Sequence, residues 1–318
     1  MQETMVSVHN LSKTYAGKKA VERLNFDIGR GEFFGLLGPN GAGKTTTIGM
    51  LTGLISPSEG TIKIDALDVQ INPLEVKAKI GFVPQDFAFY PTLSAKDNLL
   101  FFGRIYGLRG RQLKRRIDNV LQSVELLDKA GGTVSTFSNG MKRRLNIAIG
   151  MLHNPQILIL DEPTVGVDAH VKQVILENLR ALNQAGLTIL LTTHHMEEAQ
   201  RLCHRVAIMD KGNIIALNAP PALIGDLGKG IVRACFSKPI SAPLAEALAT
   251  LGEVSLLDPS IAHILLGAAS ADKIITCVRS SAVTANVSIK SLSILEPNLE
   301  AVFLHLTGGP PAASLQYQ

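Results

Sequence analysis

Residues 38–45 read Gly38-Pro39-Asn40-Gly41-Ala42-Gly43-Lys44-Thr45, with two glycines five apart ahead of a lysine and a threonine. This spacing suits one chemistry, the cradling of phosphate. Glycine lets the backbone curl so that successive N–H groups point inward at phosphate oxygens, and a helix starting at Lys44 adds its positive end. Lys44 brings a mobile cation to the terminal phosphates, Thr45 offers a hydroxyl to Mg²⁺, and Thr46 continues the first helical turn. Far along the chain a second feature answers the first, where the apolar run 157–160 ends in Asp161-Glu162. Two carboxylates at a strand tip can divide the work: Asp161 is expected to hold the metal and Glu162 to act on the attacking water as general base.

These residues need elements to position them. Residues 33–37 are a continuous apolar run of strand length, followed by the glycine loop and a predicted helix over 44–54, the opening of a parallel α/β unit. Apolar runs at 157–160 and 188–191, separated by a predicted helix centred on 174–182, imply further parallel strands. Short strands with turns in the first thirty residues predict an antiparallel entry sheet. Apolar residues at helical spacing between positions 93 and 151, Leu99, Phe102, Ile105, Ile117 and Leu121 among them, predict a helical insert. Residues 205–210 and 213–217 predict a closing hairpin. Pro220-Pro221 and the glycines of 225–230 predict a linker. Beyond it, strands at 231–236, 254–257, 261–266 and 286–292 alternate with helices at 243–251, 271–278 and 298–306 in the βαββαβ order of a ferredoxin-like unit. The expected organisation is one α/β domain at 4–222, whose helical part covers about 90–152, a small α+β domain at 230–308, and a disordered tail at 309–318 rich in proline and small polar residues.

With 46% hydrophobic and 18% charged residues the chain belongs to the globular class. A net charge of +4 makes no case for nucleic acid. The basic clusters 111–116 and 142–144 are expected to be solvated helix faces, the second also standing where it could meet a nucleotide. Three cysteines, Cys203, Cys235 and Cys277, show no zinc or redox spacing and are expected to be reduced thiols. Neither a secretory signal nor an apolar stretch of membrane-spanning length is found.

In combination the motifs resemble the nucleotide-binding subunits of ABC transporters over residues 4–217. Tyr15 stands where that family stacks an aromatic ring on adenine, ahead of the Walker A loop at 38–45. Gln85 matches the glutamine that senses the metal and links to the membrane partner. Ser138-Asn139-Gly140-Met141 stands at the signature, Asp161-Glu162 at Walker B, Gly166-Val167-Asp168 at the D-loop and His194 at the switch histidine. Spacing to Glu198-Ala199 selects His194 over His195. The resemblance implies a P-loop NTPase fold of the ABC ATPase type (antiparallel β entry subdomain, RecA-like core, helical subdomain), ATP hydrolysis with Mg²⁺, and a head-to-tail homodimer in which Ser138 and Gly140 of one subunit close on ATP held by the other. It also implies an integral membrane permease partner and a peripheral place on the cytoplasmic face of the inner membrane.

Asn139 departs from the glycine usual in the signature, and asparagine's tolerance of left-handed backbone is expected to keep that site intact. Phe87, Phe89 and Tyr90, close behind Gln85, are either the cleft for a permease helix or core. Residues 138–145 and 296–308 look like the drug-resistance and nodulation-factor type of bacterial export ATPases, which pair with six-span permeases. A non-transport ABC-type ATPase and an importer ATPase are the alternatives. A GTPase is disfavoured because no guanine-reading Asn-Lys-x-Asp segment is present.

Overall fold

A computed structural model describes residues 3–228, 230–266 and 271–307; the tail expected at 309–318 lies outside the described residues. The chain divides into two compact units, Met1–Thr193 with Leu202–Ile214, and His194–Arg201 with Ile215–Gln318.

The first unit opens with β1 (Thr4–Tyr15) and β2 (Lys18–Gly29), which pair antiparallel. They are twelve residues each rather than the short strands expected. Register shifts interrupt their alternation, and Asn10 and Arg23 take left-handed backbone, so the period-two pattern breaks where the pairing does not. After β3 (Phe33–Leu37) and α1 (Lys44–Leu51), β4 (Glu59–Ile64) and β5 (Leu67–Asp68) complete an antiparallel sheet in the order β2-β1-β4-β5. The predicted helix over 44–54 stops a turn early, because Gly53 takes left-handed backbone.

Next come α2 (Pro73–Lys79), β6 (Ile80–Val83), and the helical part: α3 (Ala95–Ile105), α4 (Gly110–Ser123) and α5 (Asn139–Met151). Leu99 of α3, Leu113, Ile117 and Leu121 of α4, and Leu145 and Ala148 of α5 are buried on the faces these helices cover, but Ile105, expected on the covered face of α3, is 64% exposed at the end of that helix. Then follow β7 (Ile157–Asp161), α6 (Ala169–Gln184), β8 (Thr188–Thr193), α7 (Met196–Leu202), β9 (Arg205–Asp210) and β10 (Asn213–Asn218). The second sheet runs β10-β9-β3-β8-β7-β6, with parallel pairing along β9-β3-β8-β7-β6. Every residue of β3, β7 and β8 is buried, as expected for strands covered on both faces.

In the second unit the expected linker is partly helical: α8 (Pro220–Gly225) has prolines in its first turn, where a missing N–H is harmless. Then come β11 (Ile231–Phe236), α9 (Ala242–Ala249), β12 (Val254–Asp258), β13 (Ile261–Leu265), α10 (Ala271–Thr284), β14 (Ile289–Leu295) and α11 (Leu299–Thr307). The sheet order β12-β13-β11-β14, antiparallel throughout, is that of the split βαβ unit expected from the element order. Its core joins Val232, Ala234 and Phe236 to Leu244 and Leu248 of α9 and Ile274 and Val278 of α10. The last strand begins three residues later than expected because α10 runs on through Thr284 and turns at Asn286, which is left-handed. Within this unit the Leu299 N–H at the start of α11 donates to Gln200 Oε1 of α7 at 3.0 Å.

Candidate functional site

Parallel pairing brings the chemistry to one edge. Leu37, the last residue of β3, stands in register with Thr193 of β8, and Thr192 with Asp161 of β7, so loop and carboxylates leave the sheet at its C-terminal side. In open α/β sheets this is where ligands bind. Strand β8 lies between the two, an arrangement that no local pattern announces.

The loop is built from backbone geometry that other residues cannot supply. Gly38 has φ 152°, and a Cβ there would lie 2.4 Å from the Met209 carbonyl oxygen; Gly43 has φ 104°, with the Ala20 carbonyl oxygen 2.8 Å from such a Cβ. Ala42 is buried between them, Gly41 (φ 81°) faces open space, Asn40 is exposed and Pro39 half-buried.

Lys44 is buried, and its Nζ donates to the Gly38 oxygen at 2.7 Å and the Pro39 oxygen at 3.2 Å. Glu162 Oε1 lies 3.5 Å from it. Burial pushes the lysine pKa below its ordinary value, and the charges of Glu162 and Asp161 oppose that shift. Thr45 Oγ1 donates to Asp161 Oδ2 at 3.3 Å, Thr46 is half-buried, and Thr47 Oγ1 donates to the Gly43 oxygen at 2.9 Å, tying the helix to the loop. Asp161 Oδ1 accepts from Thr192 Oγ1 at 2.6 Å. Glu162 is buried and takes left-handed backbone, φ 50°.

Among the described residues no group of three or more His, Cys, Asp or Glu could hold a metal. Mg²⁺ asks for less: one or two hard oxygen ligands from the protein beside phosphates and water. The Thr45 hydroxyl and the Asp161 carboxylate, in hydrogen-bond contact beside the glycine loop, fit that demand.

Of the other expected residues, Gln85 follows β6, whose Val83 stands in register with Leu160 of β7. Tyr15 is 46% exposed, with Lys13 Nζ 5.1 Å from its ring centroid, and the Gln85 side chain is exposed. Ser138 is the N-cap of α5, its Oγ accepting from the Met141 N–H at 3.3 Å; Asp168 is the N-cap of α6, accepting from the Val171 N–H at 3.0 Å. Tyr15, Gln85, Ser138 and Asp168 make no hydrogen bond to the loop or to Asp161 and Glu162 among the described residues. The His194 ring, in the second unit, lies 4.1 Å from that of His195 between centroids, tilted by 38°.

Several expectations are corrected. Asn139 is the first residue of α5 and has no left-handed backbone, so the tolerance invoked for it is not needed. Gly140 is also closely packed: a Cβ there would lie 2.3 Å from Val171 Cγ1 of α6. The cluster 142–144 is not simply a solvated turn. Arg143 is buried and donates to the carbonyls of Gln85 at 2.7 Å, Val165 at 3.2 Å and Pro84 at 3.4 Å, while Arg144 reaches the Val124 carbonyl at 3.1 Å. In the 111–116 cluster, Arg116 likewise leaves solvent to bond the carbonyls of Met151 and Leu152.

Phe87 and Tyr90 are not core: they are 40% and 47% exposed, Phe87 stacking on Phe89, and Tyr90 meeting the rings of Phe101 and Phe102. Arg143 sits over the Phe87 ring at 4.9 Å. None of the three cysteines forms a disulfide. No helix among the described residues is long and apolar enough to cross a membrane.

Known proteins share this arrangement. The ABC transporter family model matches residues 21–165. The chain is 40% identical over 308 residues to the linearmycin resistance ATP-binding protein of Bacillus subtilis (strain 168), a match covering 96% of this chain and 98% of that protein. It is 37% identical to the Nod factor export ATP-binding protein I of Paraburkholderia xenovorans (strain LB400), over 97% of this chain and 98% of the relative. Among solved structures, a dimeric ATP-binding cassette in a post-hydrolysis state, bound to ADP and Pi, superposes with a TM-score of 0.61 at 29% identity, covering 68% of this chain and 98% of its own.

Proposed function

This chain belongs to the ABC transporter family as an ATP-binding and ATP-hydrolysing subunit of the export type, and from that premise we propose that two copies close head to tail on two ATP molecules and so drive a separate membrane permease. The observation that carries this reading is the split site: Lys44, Thr45, Asp161 and Glu162 share one sheet edge, while among the described residues the Ser138 helix start makes no hydrogen bond to it. A second subunit supplies what one chain does not bring together. In this reading residues 4–222 are the ATPase domain and 230–308 a small accessory domain.

Each step follows from the residues. The N–H groups of 41–45 take the β-phosphate oxygens, and Lys44 turns from the Gly38 and Pro39 carbonyls toward the γ-phosphate. Tyr15 stacks on adenine. Thr45 and Asp161, with Gln85 beside them, hold Mg²⁺. When bound, that ion neutralises charge on the phosphate oxygens. Glu162 accepts a proton from the water that attacks the γ-phosphorus; the bond to the bridging oxygen breaks, releasing ADP and inorganic phosphate. His194 assists hydrolysis. Ser138, Gly140 and Asp168 of the second subunit close the site, and ATP stabilises the closed state until its hydrolysis. The exposed rings of Phe87, Tyr90 and Phe101 receive a cytoplasmic helix of a six-span permease, holding the chain on the inner face of the membrane. Export follows the similarity to the Nod factor export protein, and the permease chooses the cargo.

The test is light scattering coupled to size exclusion with Glu162→Gln, with and without Mg-ATP. An ATP-dependent dimer, with turnover lowered about 10²- to 10⁴-fold, is expected. Native turnover in this variant refutes the base assignment. A monomer that binds ATP refutes closure by the ATPase subunits alone.

A further inference from the structure

Asp161 and Glu162 are adjacent, yet the chemistry proposed for them makes different demands. Asp161 must turn one carboxylate oxygen toward Thr45, and Glu162 must hold a left-handed backbone that a long side chain does not favour. One side chain touches both. Thr192 of β8 is 0% exposed, and its Oγ1 donates its hydrogen to Asp161 Oδ1 at 2.6 Å. With that hydrogen committed, the oxygen accepts the Glu162 N–H at 3.1 Å. A contact of 3.4 Å to the Leu160 carbonyl is the longer alternative for the same hydrogen. The Glu162 N–H also points at the Thr192 carbonyl, 3.1 Å away.

A β-branched residue in a covered strand is stiff at χ1, so the hydroxyl is a fixed point. Burial in β8 does not by itself require a hydroxyl, since Ile189, Leu190 and Leu191 are apolar and equally buried; the strand also buries Thr188 and Thr193, and Thr192 meets both acidic residues. We infer that Thr192 is a positioning residue for ATP hydrolysis, its hydroxyl orienting the Asp161 carboxylate toward Thr45 and anchoring the Glu162 backbone. The inference deepens the proposed roles of Asp161 and Glu162 and rests on them.

The experiment compares Thr192→Val with Thr192→Ser and Glu162→Gln in the full chain. Thr192→Val keeps the shape and removes the hydroxyl. Its kcat is expected to fall about tenfold or more while KM for ATP changes less than about twofold, the pattern of an interaction that matters in the transition state. Thr192→Ser, which restores the hydroxyl, is expected to stay within about threefold of native. A readout without turnover completes the test. In the Glu162→Gln background, the Mg²⁺ concentration at which ATP raises Tm should move up several-fold on adding Thr192→Val. A purely structural threonine lowers Tm and leaves that midpoint and kcat in place, which overturns the inference. Should valine disturb the strand, Thr192→Ala must give the same Mg²⁺ shift, and its absence also overturns it. If Glu162→Gln turns over at the native rate, the roles assigned to the carboxylates fail instead, a result distinct from a native-like Thr192→Val beside an inactive Glu162→Gln.

Discussion

Gly140 stands in the signature segment, where a glycine is readily credited to the nucleotide, but its surroundings make a different and quantitative demand. An added Cβ would lie 2.3 Å from Val171 Cγ1 and 3.1 Å from both Val171 Cβ and Cγ2. The first distance is about 1.2 Å short of the lower end of ordinary carbon–carbon contact, ~3.5 Å. Rotating the valine gives little relief, because its own Cβ is close and valine holds one preferred rotamer in a helix. Gly140→Ala must therefore move α5 away from α6. Such overpacking costs about 1–3 kcal/mol, offset by about 0.5–1 kcal/mol from alanine's better helix propensity. The net expectation is a loss of about 1–2 kcal/mol, which lowers the Tm of a unit of this size by about 2–8 °C. Calorimetry on Gly140→Ala, Val171→Ala and the double variant closes a mutant cycle, in which a coupling of about 1–2 kcal/mol in favour of the double variant is expected. A Tm at or above native in Gly140→Ala, or no coupling to Val171, refutes the packing argument. Stability restored without activity assigns the glycine to the nucleotide instead.

Two further expectations concern residues away from the phosphates. His263 of β13 is buried, and its burial, with the positive charges of Arg233 and His305 nearby, lowers its pKa to about 4. Because the unfolded chain takes up this proton first, stability falls as pH drops from about 6.5 toward 4, by on the order of 3 kcal/mol. His263→Leu should flatten the urea midpoint against pH over that window, and an unchanged slope contradicts the assignment. Arg143→Lys replaces a fork that serves the Pro84, Gln85 and Val165 carbonyls with a point charge. A loss of about 2–3 kcal/mol is expected in urea titration, with faster proteolysis near Gln85, and native values in both tests refute the anchoring role.

The phosphate loop could be read directly because its requirement is local: left-handed backbone at Gly38 and Gly43 and a lysine at the first helical turn are properties of consecutive residues. The same holds for β3, β7 and β8, whose unbroken apolar runs announce strands covered on both faces. Boundaries failed where tertiary pairing overrode the local period. The bulges of β1 and β2 hide twelve-residue strands, and the prolines that suggest a linker form the first turn of α8.

From the sequence alone came the order of elements, the phosphate chemistry, the two carboxylates and the split unit after residue 230. Those are set by residue type and by spacing within a few positions of the chain. Only the tertiary structure decided that β8 lies between loop and carboxylates, that Thr192 holds both acidic residues, that Arg143 leaves solvent for three carbonyls, and that Gly140 answers to Val171. Each of these joins residues about 20 or more positions apart. Periodicity tells which face of an element is buried but not what lies against it, because a side chain's partner is chosen by the packing of the whole unit.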